Sequence, residues 1–517
     1  MTEHVDAGTL PPGPGAPTPP IEIAGGAAAA TSRLQAQFVP VDDALLGRLR
    51  GACAQVTDDP AVVGETSRDW WPLAMTWATA GQVAARAAVV ARPKDPDEVA
   101  AVVRLCHEAG VPVTAAAGRS GVLGGSVPVH GGVVLDLCDL VGIRSVDDTS
   151  LTVDVLAGTF GDRFEAELRE TYGLTCGHWP QSMTLSTVGG WAACRGAGQL
   201  STRYGKIEDI VVGLDVVLAD GTQITTGGAP RQAAGPDLTQ VFVGSEGTLG
   251  IITGVRLRVH PVPTYERRGA WAFSSVADGL DACRRILRRG GTPAVLRLYD
   301  GTESDRNYHV GTDKVVVLAL DEGDPAVVDG CFAVVEDVMS GAERLDDSLV
   351  DHWLAKRNDV AALEALIKMG AVVDTMEVSG LWADLPGAYD AVVAAMSAVP
   401  GVIAASAHCS HSYLTGGCLY FTFGGRPAAD GDDAPTVEQR EALHRAVWEA
   451  GQRAALAAGM SVSHHHGVGL HRGQYLPDAL GGGFAVLQAL KSALDPTGIL
   501  NPGKLGLDSP FGPVVVP

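Results

Sequence analysis

The chain has 517 residues, 46% of them apolar, and its 60 acidic residues against 38 Lys and Arg give a formal net charge of −22. Such a length calls for two or three domains with substantial cores, and the composition excludes a disordered chain. The acidity excludes sequence-independent nucleic-acid binding, which needs a basic footprint.

Residues 1–32 are rich in Pro, Gly and Ala ("LPPGPGAPTPP", "GGAAAA") and are expected to form a flexible tail. No Lys or Arg precedes Arg33 and no continuous apolar stretch lies there, so no secretory signal is expected. No apolar run reaches the length that spans a bilayer. Nine cysteines without a C-x-x-C pair indicate free thiols in a reducing compartment, and the expected location is cytoplasmic.

Residues 33–86 read as an N-terminal helical segment. After Arg92, Asp95 is placed to cap a helix that opens on Pro96, carries an apolar stripe of Val99, Val102, Val103 and Cys106, and stops at Gly110. A short strand, "VPVTAAA", enters the glycine-rich turn "GRSGVLGG" (118–125), and a buried strand, "GGVVLDL", leaves it. The strand "LTVDVLAG" and a helix from Phe160 follow. "DIVVGLDVVLADGTQITT" reads as a hairpin turning at Asp220-Gly221, and "VRLRVHPVP" as an alternating strand. Hairpins mixed with helices predict an α+β fold over residues 87–264 more than a doubly wound sheet. Residues 265–455 alternate long helices with strands such as "KVVVLAL" and "CLYFTF", and predict a second α+β domain. A polar loop, "GGRPAADGDDAPT", is expected at 424–436. Residues 456–517 hold the histidine-rich stretch "SVSHHHGVGLHRGQYL" and an amphipathic helix ending at Asp495-Pro496.

The turn at 118–125 has neither the lysine of a phosphate-binding P-loop nor the spacing of a dinucleotide fingerprint. On its own, the turn reads first as a tight structural turn that happens to be glycine-rich. Two later stretches, "PQSMTLSTVGGWAACRGAG" and "GSEGTLGII", again set small and hydroxyl residues between glycines. Three such segments point to a large phosphate-bearing cofactor lying against backbone amides.

In "GGCLYFTF" the strand period sets Tyr420 on the face opposite Leu419, Phe421 and Phe423. Its plain alternative is a core tyrosine with one hydrogen bond. In an extended segment His464 and His466 share one face and His465 points the other way, an arrangement unsuited to a single metal ion. A structural polar cluster and a catalytic acid–base cluster are the remaining readings.

The ordered series "TAAAGRS", "GHWPQSMTLSTVGGW", "STRYGKIEDIVVGLDVVLADG", "GPDLTQVFVGSEGTLGIIT", "HSYLTGGCLYFTF", "SHHHGVGLHR" and "LDPTGILNPGKL" resembles the FAD-linked oxidases, the superfamily of vanillyl-alcohol oxidase and p-cresol methylhydroxylase. Within it the chain is most similar to the alkyldihydroxyacetonephosphate synthase branch. The resemblance covers about residues 90–505. It implies a two-subdomain FAD-binding domain of the p-cresol methylhydroxylase type at 87–264, an α+β substrate (cap) domain at 265–455, and a C-terminal segment at 456–517 that returns to the active site. Carried over by position, FAD contacts are expected from Thr114, Ala115, Ala116, Ala117, Gly118, Arg119 and Ser120. Others are expected from Gln181, Ser182, Met183, Thr184, Leu185, Ser186 and Thr187, from Cys194, Arg195, Gly196 and Ala197, and from Glu246, Gly247, Thr248, Leu249, Gly250, Ile251 and Ile252. The pyrophosphate loop carries no His or Cys, so non-covalent FAD is expected.

The resemblance further implies catalytic roles for Tyr420, His464, His465, His466 and Arg297. Arg472 is expected to hold an anionic part of the substrate, and no metal is expected. The sequence departs from the synthase pattern near Leu363, where that branch has a phosphate-binding arginine, and at Leu470, where it has a lysine. Lys356, Arg357, Lys368 and Arg472 are the candidate replacements. The expected activity is oxidation of a small alcohol or 2-hydroxy acid through flavin N5, with alkyl transfer without net redox as the alternative. A small-molecule substrate and a homodimer are expected, without nucleic acid or a membrane span.

Overall fold

A computed structural model describes residues 15–359, 361–428 and 434–515. The helix Pro96–Ala109 forms as its caps require: the Asp95 side chain accepts from the Glu98 amide at 2.9 Å, and Gly110 closes it at φ 65°. Its apolar stripe buries Val99, Val102, Val103 and Cys106 against a four-stranded sheet. The strands of that sheet are β1 (Gln55–Thr57), β2 (Val89–Arg92), β3 (Val113–Ala116) and β4 (Val133–Asp136), in the order β1-β2-β4-β3. β2, β4 and β3 run parallel and β1 is antiparallel to β2. β3 runs straight into the glycine-rich turn.

A five-stranded antiparallel sheet completes the first half. It holds β5 (Ile143–Asp147), β6 (Thr152–Leu156), β7 (Val211–Val217), β8 (Gln223–Thr225) and β9 (Ile251–Arg258), ordered β8-β7-β9-β6-β5. The β7–β8 hairpin turns through Gly221 at φ 83°.

The second half is one seven-stranded antiparallel sheet. Its strands are β10 (Tyr265–Phe273), β11 (Val295–Tyr299), β12 (Val315–Gly323), β13 (Glu343–Leu345), β14 (Val372–Leu381), β15 (Val402–Ser412) and β16 (Gly416–Gly425). They are ordered β13-β10-β12-β11-β15-β16-β14. One face packs Leu296, Leu298, Ala407, Cys409, Leu419, Phe421, Phe423, Met376 and Val378 into the largest core cluster. Helices Val276–Arg288, Pro325–Met339, Leu385–Ser397 and Val437–Ala457 cover that face. The alternate residues Arg297, Tyr299, His408, Ser410, Tyr420, Thr422, Val373 and Thr375 line a cavity on the other face. The period of two along each strand thus sorts the core from the site.

One expectation changes. Residues 15–32 are not a free tail. Ile21, Ile23 and Ala30 are buried in one cluster with Met75, Ala78, Val83 and Ile367, and Thr31–Ser32 pairs in parallel with Gln82–Val83. Two isoleucines bury enough apolar surface to anchor a segment whose composition otherwise favours disorder. Residues 1–14 of the expected tail lie outside the described residues, as do 429–433 of the expected polar loop.

The C-terminal segment returns to the first half. Lys491, on the helix Gly483–Leu494, donates to the Thr248 carbonyl at 2.9 Å and the Leu500 carbonyl at 2.7 Å. Asn501 Nδ2 donates to the carbonyls of Gly125 at 2.9 Å and Glu246 at 2.8 Å, tying two glycine-rich segments together. Among the described residues, no helix is long and apolar enough to cross a membrane.

Candidate active site

A cavity of ≈ 830 Å³ lies between the glycine-rich segments and the open face of the seven-stranded sheet. Ala115, Ala116, Ala117, Gly118, Arg119 and Ser120 line it. The backbone N–H groups of Gly118, Arg119, Ser120 and Gly121 donate to no protein acceptor among the described residues. Arg119 adopts φ 52°, the left-handed backbone conformation from which anion nests are built. A Cβ at Gly118 would run into the Leu185 carbonyl, so only glycine lets these two segments close on each other.

The other glycine-rich segments contribute Gln181, Ser182, Leu185, Ser186 and Thr187, then Cys194, Gly196 and Ala197, then Glu246, Gly247, Gly250, Ile251 and Ile252. Six of the expected contacts do not reach the cavity. Thr114 is buried within β3, Met183 and Leu249 fill the core of the first half, and the buried Thr248 hydroxyl bonds the Ser245 carbonyl at 2.7 Å. Thr184 is exposed, and Arg195 turns out to Glu208 at 3.4 Å. Alternation along the chain sends neighbours of a lining residue into the core or to solvent.

The histidines do not sit in an extended strand. Residues 461–469 bend around two carboxylates, the buried Glu377 and the half-buried Glu246. Glu377 Oε1 accepts from the Ser463 hydroxyl at 2.8 Å and from the amides of His464 at 3.2 Å, His465 at 2.9 Å and His466 at 2.7 Å. Glu246 accepts from the amides of Val468 at 2.6 Å and Gly469 at 2.8 Å. The strand alternation expected of the triplet therefore fails. His464 and His465 meet at 2.8 Å between their Nδ1 atoms, while His465 and His466 line the cavity and His464 lies behind them. His464, His465 and His411 have ring nitrogens within 4.8 Å of one another, but both nitrogens of His464 already have partners, the second being the Tyr413 hydroxyl at 3.0 Å.

Arg472 is corrected as well. It is fully buried, ion-paired through Glu377 Oε2 and stacked over Trp448, so it faces no substrate. It neutralises the carboxylate that shapes the histidine bend. Burial alone would raise the Glu377 carboxyl, but Arg472, then His466 and His465, hold it well below the usual carboxylate range.

Tyr420 lines the cavity, with its hydroxyl 3.0 Å from Thr375 Oγ1 and its ring stacked between His408 at 4.8 Å and His465 at 5.9 Å. Burial pushes its phenol above the ordinary tyrosine range, so it stays protonated near neutral pH. Burial lowers the imidazoles of His465 and His466, the former well below its usual range, so both are neutral and able to accept a proton. Arg297 lies in the same wall. Its guanidinium bonds the Tyr299 hydroxyl at 2.9 Å and the Ser410 carbonyl at 3.2 Å, and has no carboxylate partner among the described residues. Lys356 and Arg357 line the cavity beside Leu363, Arg357 lying over the rings of Trp179 and Trp353. Lys368 instead pairs with Glu364 at 2.6 Å, and Leu470 packs with Trp71.

The sequence reading missed Glu377, His178, Ser201, Tyr413, His408 and His411. Glu377 had a signal. It stands directly across from Tyr420 in the β14–β16 register and is one of two carboxylates, with Asp374, in the otherwise largely apolar stretch "VVDTMEVSG". Neither ring nitrogen of His178, a buried residue in the cavity wall, has a protein partner among the described residues.

Comparison with known proteins follows this division of the chain. Residues 87–227 match the FAD binding domain family and residues 262–505 match the C-terminal domain of FAD linked oxidases. The FAD-linked oxidoreductase YgcU of Escherichia coli K12 is 32% identical over 77% of this chain and 83% of its own. The alkyldihydroxyacetonephosphate synthase of Dictyostelium discoideum is 29% identical over 82% of this chain and 74% of its own. The glycolate oxidase subunit GlcD of Bacillus subtilis is 29% identical over 81% of this chain and 88% of its own. A solved alkyldihydroxyacetonephosphate synthase superposes with a TM-score of 0.74 at 24% identity, covering 93% of this chain and 90% of that one.

The cavity fits FAD on its own terms. Four free amides at one end suit a pyrophosphate, the flanking walls are glycine backbone, and the unpartnered His178 nitrogens await a polar group.

Proposed function

Because this chain belongs to the family of FAD-linked oxidases, we propose that it oxidises a small, anionic 2-hydroxy acid or alcohol held between the flavin and the Tyr420–His465–His466 wall. The family membership makes it an FAD-linked oxidoreductase-type enzyme. The observation that carries the substrate class is Arg297, a buried cation without a carboxylate partner among the described residues, in the same cavity wall as Tyr420. A buried guanidinium binds a carboxylate or phosphate strongly because water does not compete.

When bound, FAD supplies the hydride acceptor at its N5. Arg297 fixes the anionic end of the substrate. The neutral imidazoles of His465 and His466 take the hydroxyl proton, the role that the protonated phenol of Tyr420 cannot fill. Tyr420, anchored on Thr375, orients the hydroxyl, and stacking on His408 and His465 keeps its ring in place. Glu377 and Glu246 hold the histidine backbone so that the bases need no rearrangement. FAD is bound non-covalently in this reading. The pyrophosphate loop offers no nucleophile, and burial raises the cavity thiol of Cys194 to about 12, which keeps it protonated.

Lys356 and Arg357 favour a second reading, alkyl transfer on an acyl-ketone phosphate, because they supply cations beside Leu363. Anaerobic mixing with glycolate, lactate and 2-hydroxyglutarate, watched at the flavin band near ~450 nm, separates the two. Bleaching by a hydroxy acid supports oxidation. Ether product from a fatty alcohol and an acyl-ketone phosphate, without bleaching, supports transfer, and purified protein without extractable FAD refutes both.

A further inference from the structure

A row of five hydrogen-bonding side chains leaves the cavity and comes back to it. His465 lines the cavity, and its Nδ1 lies 2.8 Å from Nδ1 of His464. His464 Nε2 lies 3.0 Å from the Tyr413 hydroxyl, which lies 3.1 Å from Ser201 Oγ. Ser201 Oγ lies 2.7 Å from His411 Nδ1, and His411 lines the cavity again. Ser201, His411 and His464 are buried, so solvent does not compete for the links. The members come from three places: the helix Ser201–Tyr204, the end of β15 and the histidine bend.

We propose that His465, His464, Tyr413, Ser201 and His411 form a proton wire that takes the substrate proton at His465 and releases one at His411. The proposal rests on the reading of this site as one that removes a proton from a hydroxyl.

A neutral imidazole carries one N–H and one lone pair, and a hydroxyl donates one hydrogen. Two hydrogen arrangements satisfy every link. In the first, His465 Nδ1–H donates to His464, His464 Nε2–H to Tyr413, Tyr413 to Ser201, and Ser201 to His411 Nδ1. His465 Nε2 is then a free base and His411 Nε2 bears a hydrogen. In the second arrangement every donation is reversed. A proton arriving at His465 Nε2 converts the first into the second. Each member passes one hydrogen on and receives one from behind, and the His411 Nε2–H bond breaks as that proton passes to a water molecule admitted to the cavity that His411 lines. No member ends charged, so nothing requires a buried imidazolium.

The surroundings suit neutral members. Burial lowers all three imidazoles well below their usual range and raises the Tyr413 phenol well above its own. Lys206, whose Nζ bonds the His464 carbonyl at 2.7 Å, and Arg297 further disfavour a charged imidazole, while Glu377 acts in the opposite sense. A metal ion shared by the three imidazoles would have to displace partners that His464 and His411 already hold.

Nitrogen-15 histidine labelling of the holoenzyme reports the tautomer of each ring. The wire requires His464 and His411 to carry hydrogen on the same nitrogen type and His465 on the other. Tyr413→Phe should uncouple His411 from the pair while leaving FAD content unchanged. With a hydroxy acid that bleaches the flavin, Tyr413→Phe and Ser201→Ala should each slow bleaching roughly 10- to 100-fold, within what positioned proton transfer contributes, and Ser201→Thr should restore most of the rate. An imidazolium at His464 near neutral pH, tautomers indifferent to Tyr413→Phe, or stoichiometric zinc that is lost in His411→Gln would overturn the wire. If no hydroxy acid bleaches the flavin, the oxidase reading fails, and the tautomer pattern still decides the wire.

Discussion

Glu377→Gln removes one charge and almost no volume from the point on which the histidine bend is wound. In the native chain one oxygen of Glu377 takes the Ser463 hydroxyl and three successive amides, and the other takes the Arg472 guanidinium. A glutamine has a single acceptor oxygen. If it faces the amides, its NH2 group meets Arg472, and if it flips, that group meets three N–H donors. Both side chains of the pair are 0% exposed, so the orphaned guanidinium has no water to turn to. Removing one partner of such a pair costs about 3–5 kcal/mol. At ~2 °C per kcal/mol for a unit of this size, the melting temperature of the holoprotein should fall by about 6–10 °C. The pH dependence has a definite sign. Burial raises the Glu377 carboxyl, but Arg472 and the histidines outweigh it and set the folded value well below the ordinary one. Its contribution is therefore complete above the unfolded value of about 4.3 and is lost as pH falls through the folded value. The gap between wild type and variant should be flat from neutral pH down to about pH 5 and close only in stronger acid. A variant melting within about 1 °C of wild type, or a gap that closes between about pH 6 and 8, would refute the reasoning.

Tyr420→Phe should keep FAD bound and lower turnover by roughly 10²-fold, the scale of a reacting hydroxyl left misplaced, in stopped-flow reduction; an unchanged rate removes the phenol from substrate positioning. Gly118→Ala should leave much of the purified protein without FAD, read as flavin absorbance per chain, because its Cβ collides with the Leu185 carbonyl; full flavin occupancy would show that the loop can move aside. Arg297→Gln should raise KM for an anionic hydroxy acid about 10- to 100-fold, from the ~1.5–3 kcal/mol of a charged hydrogen bond, and should leave a neutral alcohol less affected; an equal loss with both would make Arg297 structural. All nine cysteines are free thiols, seven are buried, and burial raises the two half-buried ones, Cys194 and Cys331, to about 12, so thiol titration should find none reacting quickly in the native protein and nine after denaturation; a fast-reacting thiol in the native protein would refute this.

The sequence reading reached the glycine turn, the inward face of the Tyr420 strand and the helix from Pro96 because each depends on a local rule: backbone permissiveness, a period of two, or a cap. It failed where a distant side chain sets the local geometry. The triplet at 464–466 has the pattern of an extended segment, but a carboxylate 87 to 89 residues earlier in the chain bends it. Arg472 looked free because its partner Glu377 lies in another element. The Ser201–Tyr413 contact joins residues 212 positions apart, and no local pattern marks either one. Residues 15–32 were misjudged from composition, since Ile21 and Ile23 outweigh their Pro and Gly neighbours once a complementary apolar patch exists.

Asn501 holds the carbonyl of Gly125 across 376 residues of chain. On the ribosome, the glycine turn emerges long before the side chain that fixes it. The first half can therefore build its sheets early but cannot finish its cofactor cradle until the segment around the helix Gly483–Leu494 has left the exit tunnel. Flavin capture therefore waits on the last part of the chain to emerge, because the side chain that ties two walls of the cradle together is residue 501.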